Sequence, residues 1–302
     1  MSTRKLGVNL PLAGAGASPE AILRVAEEAE RAGLDSVWAW ERLMRPTDPI
    51  AMGGPGGPVM DAPAQFAVVY DALETLAFVA ARTSRITLGT SVLDALFSSP
   101  VILARRLATL DQLSGGRLVV GVGQGWMEQE FVATGVPMSR RGAGFEEHLR
   151  AMRAVWGPDP VQFDGRFYQI PSAEIGPKPV RLDGPTLIIG SAAPAAVDRA
   201  ARLGAGLTLV IFDWETVGET IATFRTAEAG AGHEPGSLPV LLQVNGTISE
   251  RSLDERAPLL GSVDQVATDL ERAESLGVSH VFWNSLEEDP LEQIPLIAQL
   301  RG

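Results

Sequence analysis

Cysteine is absent, which excludes disulfides and thiolate metal sites. Lysine is nearly absent too, with only Lys5 and Lys178. The remaining cations are arginines, which suit forked contact with phosphates and carboxylates. The three histidines, His148, His233 and His280, are far apart in the chain and do not have metal-ligand spacing. No run of about 18 apolar residues marks a membrane span, and the N-terminus lacks the apolar stretch of a secretory leader. A cytoplasmic address is therefore expected. The net charge of −12 disfavours nucleic acid and anionic membrane as partners.

What is present is alternation. Apolar runs of strand length are followed by amphipathic stretches of helix length, eight times in 302 residues. "KLGVNLP", "DSVWAW", "RITLGTSV", "GGRLVVGVG", "PTLIIG", "GLTLVIF", "LPVLLQVNGTI" and "VSHVFWN" carry the strand pattern. Ser18 followed by Pro19 predicts a capped helix over Pro19 to Arg31, closed by Gly33. Continuous apolar strands between helices argue for parallel pairing with both faces covered. Eight such units predict an α/β fold, a (β/α)8 TIM barrel forming a single domain over 1–302. Insertions are expected after strands 2 and 4, at about 46–63 and 157–184. The second contains "VQFDGRFYQI", a hairpin pattern around Asp164-Gly165. A doubly wound sheet is the alternative, but the first strand–helix turn lacks G-x-G-x-x-G spacing.

In a barrel of this kind function sits where strands end. "GVGQGWMEQEF" offers Gly123, Gln124, Gly125 and Trp126, either a ligand-approaching loop or a tight turn with a packed tryptophan. Gly190, Ser191 and Ala192 precede a helix start, where free amides and the helix dipole favour an anion. Thr90 and Ser91 end an apolar strand, as ligand contacts or as ordinary caps. Glu41 and Arg42 follow strand 2. Glu41, beside Trp38 and Trp40, is placed for a raised pKa and acid–base use. Arg42 stays charged and suits a carboxylate, a phosphate or a reduced ring. The other reading is that the two anchor the loop. Asn9, Phe97, Phe212 and Trp283 are expected to line a substrate pocket, and no metal site is expected.

Taken in order, "RITLGTSV", "PVILARRLATLDQLSGGRLVVGVGQGWMEQEF", "GPTLIIGSAAPAAVDRAARLGAG" and "GSVDQVATDLERAESLGVSHVFWN" resemble the bacterial luciferase-like monooxygenase superfamily, closest to its coenzyme F420 branch. The resemblance implies an oxidoreductase exchanging a hydride between F420 and a small organic substrate. An FMN-dependent monooxygenase using reduced flavin and oxygen is the first alternative, and a non-catalytic cofactor-binding barrel the second. It also implies that Thr90, Ser91 and Val92, through an irregular and often non-prolyl cis peptide, support the ring. Gln124, Gly125 and Trp126 would lie beside it, and Gly190, Ser191 and Ala192 would cradle its phosphate. Homodimers are common in the family. The sequence departs after strand 2, where relatives keep an acid–histidine pair and this chain has Glu41-Arg42.

Overall fold

The protein is described from a computed structural model covering residues 4–285 and 288–301. The eight apolar runs form strands β1 (Lys5–Asn9), β2 (Ser36–Ala39), β3 (Thr87–Thr90), β4 (Leu118–Gly123), β5 (Thr186–Gly190), β6 (Gly206–Val210), β7 (Val240–Asn245) and β8 (His280–Asn284). Each pairs in parallel with its neighbours in sequence. β4 also pairs with β5, and β8 with β1, so the ring closes into the expected (β/α)8 barrel.

The helices are α1 (Pro19–Arg31), α2 (Ala72–Ala80), α3 (Pro100–Ser114), α4 (Glu128–Thr134), α5 (Ala143–Trp156), α6 (Pro194–Arg202), α7 (Trp214–Gly230), α8 (Val263–Ser275) and α9 (Pro290–Gln299). Their ends follow local chemistry. The Ser18 hydroxyl accepts from the Ala21 amide at the start of α1. α3 stops at Gly115, whose φ of 68° is the left-handed conformation that glycine adopts cheaply. Helix α4, which begins within "MEQEF", is not marked by the sequence pattern, since it is only two turns long. Both insertions contain antiparallel hairpins. Ile50–Ala51 pairs with Val59–Met60, and Val161–Asp164 with Gln169–Ala173.

Alternation along the strands separates two cores. Val37, Ala39, Leu88, Val120, Val122, Val281 and Trp283 pack outward with the helices in the large cluster. Trp38, Ile188, Leu241 and Phe282 form a separate cluster with Val119 inside the barrel. Trp38 is fully buried there and stacks on Phe282, with ring centroids 4.3 Å apart. Its Nε1 donates to Ser36 Oγ at 2.7 Å, and Ser36 Oγ meets His280 Nε2 at 2.6 Å. A hydroxyl that accepts from the indole has its own proton left for the imidazole, so Nε2 accepts and Nδ1 carries the ring proton. Burial, with a smaller contribution from Lys5, pushes His280 down to about 3, so it stays neutral. His280 thus serves the barrel floor, at the end opposite the expected site. His148 packs under the second hairpin, its Nδ1 3.2 Å from the Tyr168 hydroxyl.

The indole fits because two neighbouring strands carry glycine. A Cβ on Gly89 would lie 2.3 Å from two indole carbons, and one on Gly7 2.0 Å from Ser36 Oγ. Gly89→Ala is therefore expected to cost about 1–3 kcal/mol or more, read as a lowered denaturation midpoint. Unchanged stability would mean that Trp38 is not wedged.

Candidate cofactor and substrate site

At the C-terminal ends of the strands, the inward positions change from apolar to polar. Asn9, Trp40, Ser91, Gln243, Asn245 and Asn284 continue the inward alternation of Gly7, Trp38, Gly89, Leu241 and Phe282. β3 and β7 stand opposite each other in the ring. Even so, Ser91 Oγ donates to Gln243 Oε1 at 3.0 Å across the mouth. Gln243 Nε2 donates to Asn245 Oδ1 at 2.9 Å, and Asn284 Nδ2 reaches the same oxygen at 3.4 Å. This amide chain forms a polar floor. Beside it, over β1, β2 and β8, opens a cavity of about 670 Å³ lined in part by Asn9, Leu12, Trp40, Gln65, Asn284 and Leu291.

The β3 end has the irregular backbone expected of it: the Ser91–Val92 peptide is cis. Val92 lies between the ends of β4 and β5. A Cβ on Gly123 would come within 2.9 Å of a Val92 methyl, and one on Gly190 within 2.8 Å. These two glycines thus make room for Val92. The Thr90 hydroxyl both donates to the Gly121 carbonyl and accepts from its amide, each at 2.8 Å, so it is used up inside the wall.

The expected phosphate cradle is built around α6, which starts with no side-chain cap. Ser191 Oγ accepts from the Ala193 amide at 3.1 Å, and Ala192 to Ala195 are exposed. Arg199 on α6 reaches toward Gly142, whose amide donates to Gln124 Oε1 at 2.9 Å. The Nε atoms of Arg141 and Arg199 are buried without hydrogen-bond partners among the described residues. Arg199 Nε lies 3.6 Å from Glu146 Oε2, which holds the guanidinium in place; uncapped amides beside such guanidinium groups fit the phosphate of a flavin-type cofactor. Sequence reasoning missed Arg141 and Arg199, because nothing local distinguishes them from the other arginines.

Glu41 and Arg42 lie elsewhere, and neither lines the wide cavity. Arg42 Nη1 pairs with Glu130 Oε2 at 2.5 Å, and Nη2 sits 3.7 Å from Asp94. Its guanidinium lies over the rings of Trp126 and Phe66, at 4.8 and 5.4 Å. Glu130, fully buried, accepts from the Leu43 amide at 2.7 Å. Glu41 Oε2 accepts from the Asp94 amide at 2.7 Å and faces a small cavity lined by Leu73, Phe97 and Arg106. Together these groups knit the loops after β2, β3 and β4.

Three pocket expectations are corrected. Trp283 alternates outward with Val281, and its Nε1 donates to the Leu259 carbonyl at 3.1 Å. Phe97 packs edge-on against Phe131, 4.9 Å between centroids. Phe212 is 74% exposed after β6 and lines neither the wide nor the small cavity. Of the four expected residues, only Asn9 lines the wide cavity. Trp126 packs with Ile50, Ala62 and Met127 beneath the first hairpin. The inward residues Gln243 and Asn245 did carry a signal, two amides spaced by two in an apolar strand.

Comparison with known proteins agrees with the barrel fold. The family model for luciferase-like monooxygenases matches residues 5–259. The chain belongs to that family. It is 31% identical over 170 residues to an FMNH2-dependent dimethylsulfone monooxygenase of Pseudomonas putida, covering 53% of this chain and 43% of that one. It is 31% identical over 193 residues to an F420-dependent glucose-6-phosphate dehydrogenase of Amycolatopsis mediterranei, covering 62% and 52%. The chain thus spans about half the length of these curated relatives or less. The crystal structure of monooxygenase RslO1 from Streptomyces bottropensis superposes over 98% of both chains, with a TM-score of 0.81 and 25% identity.

Burial pushes the Glu41 carboxyl up to about 7, opposed by the Asp94 amide and reinforced by nearby Asp94, Asp71 and Glu130. A carboxyl whose folded pKa is raised above its unfolded value costs stability as pH climbs from about 4.5 through 7. Below that window the cost is absent. Glu41→Gln keeps an acceptor for the Asp94 amide, so it is expected to raise stability by about 1–3 kcal/mol at pH 8 and to change little at pH 4. Urea titrations at the two pH values measure this. A loss at pH 8 would mean that Glu41 has a cationic partner.

Proposed function

We propose that this protein is an oxidoreductase that binds coenzyme F420 and exchanges a hydride with a small organic substrate. One observation carries this reading: the uncapped start of α6 with Arg199 stands at the same barrel mouth as the polar row from Ser91 to Asn284. The longer match to the F420-dependent relative favours the deazaflavin over FMN. FMN and monooxygenation are the second reading, supported by the FMNH2-dependent relative and, for monooxygenation, by the likeness to RslO1.

In this reading Ser191, Ala192, Gln124, Gly125, Arg141 and Arg199 hold the phosphate end, and Ser91 with Val92 supports the ring. When bound, the deazaflavin supplies a two-electron hydride carrier at ring carbon 5. The chain supplies position and exclusion of water. The Ser91–Gln243–Asn245–Asn284 row fixes the floor beneath the substrate, and the apolar walls of the cavity over β1, β2 and β8 displace solvent. Glu41 and Arg42 act as positioning residues. Arg42 holds Glu130 and Asp94 together, which sets the loops that border the mouth.

Fluorescence titration with F420 and with FMN separately tests the reading. Saturable F420 binding is expected, weakened at least tenfold in Arg199→Gln through loss of a charge-assisted hydrogen bond. Tight FMN binding with none for F420 moves the assignment to the second reading. Glu41→Gln is expected to keep both cofactor affinity and turnover, and lost turnover with intact binding would return Glu41 to the chemistry.

We further propose a homodimer with a cytoplasmic address. Ile102 and Leu113, 57% and 65% exposed, line a groove between α2 and α3, and Phe78 on α2 is 44% exposed. Light scattering is expected to give twice the chain mass, and the mass of one chain in Leu113→Glu.

A further inference from the structure

Few buried polar side chains in this protein are without partners, and one of them lies at the wide cavity. Asn9 is 2% exposed, and both Oδ1 and Nδ2 lack hydrogen-bond partners among the described residues. Such a group costs stability unless something else pairs with it, so its presence calls for a physical reason. Asn9 ends β1 on the inward side and lines the cavity of about 670 Å³ over β1, β2 and β8. The groups assigned to the cofactor stand on β3, β4 and β5, across the ring from β1 and β8. None of them lines this cavity.

The rest of the lining narrows the ligand further. Leu10, Leu12, Trp40, Val68 and Leu291 give apolar walls. The charged residues that border it, Arg24, Glu288 and Asp289, are exposed and belong to the rim. Asn284 is engaged with Asn245. Asn9 thus stands alone as a buried amide with both polar ends unmet, under apolar walls.

We propose that Asn9 determines substrate specificity, selecting molecules that present a hydrogen-bond donor beside an acceptor on an apolar frame, such as cyclic amides. A primary amide offers one carbonyl and one NH2, side by side. A lactam edge answers both in a paired pair of hydrogen bonds. A lactone answers only the NH2 and leaves the Asn9 carbonyl unpaired. A cavity of this size takes a bicyclic frame. The inference rests on reading this cavity as the substrate side of a cofactor-binding barrel.

Calorimetric binding of 2-quinolone, a bicyclic lactam, and of coumarin, its lactone counterpart, to the full chain tests it, with and without F420 or FMN. The wild type is expected to prefer 2-quinolone by about tenfold or more, since a site built to pair two groups rejects a ligand lacking one. In Asn9→Leu the preference is expected to fall to about one, with cofactor affinity unchanged. Asn9→Ala serves the same comparison where the leucine variant does not fold. Equal affinities in the wild type, or a preference that survives in the variants, overturn the proposal. A chain that binds neither cofactor but keeps an Asn9-dependent lactam preference supports the role of Asn9 and sinks the proposed redox function.

Discussion

A single indole, Trp38, sets the interior of the barrel. Eight parallel strands enclose a space that side chains must fill, since an unfilled interior forfeits dispersion contacts. Here one tryptophan stacked on Phe282 occupies the middle layer, and Gly7 and Gly89 provide the room. The indole N–H cannot be buried unpaired, so Ser36 accepts it, and neutral His280 accepts in turn from Ser36. Packing and polar satisfaction are thus solved together, on six residues from β1, β2, β3 and β8. The filled middle layer also sets the depth of the mouth, because the polar floor from Ser91 to Asn284 rests on the layer above it.

A second cluster fixes the loops. Arg42 is buried between Glu130 and Asp94 and sandwiched by aromatic rings. A buried pair of this kind adds little net stability, and breaking it is costly. Its value here is geometric, because it ties three strand ends to one point. Glu41 sits at the edge of this cluster, where burial first and the nearby carboxylates Asp94, Asp71 and Glu130 second push its carboxyl up to about 7. The mouth then divides into two halves. One, over β3 to β5, has the uncapped amides of α6 and arginines. The other, over β1, β2 and β8, has apolar walls and one unmet amide.

Much of this was legible in the sequence. Strand and helix periods, caps at Ser18 and Gly33, and the hairpin at Asp164-Gly165 are local, so the alternation alone led to the barrel. The resemblance located the cis Ser91–Val92 peptide and the start of α6. Side-chain direction was harder. Trp283 was expected in the pocket, yet it alternates outward, because a strand's facing depends on which neighbour residues turn inward around the closed ring. Phe97 and Trp126 were expected to meet ligands, yet they pack against Phe131 and the Arg42 cluster.

The sequence by itself determined the barrel, its strand order and the loops that carry the site, because period, capping and turn chemistry act between residues close along the chain. Tertiary structure alone decided which side chains meet. Arg42 and Glu130 are 88 positions apart, and Ser91 and Gln243 are 152 apart. Such pairs, and the unpaired amide of Asn9, depend on ring closure, which no local pattern encodes.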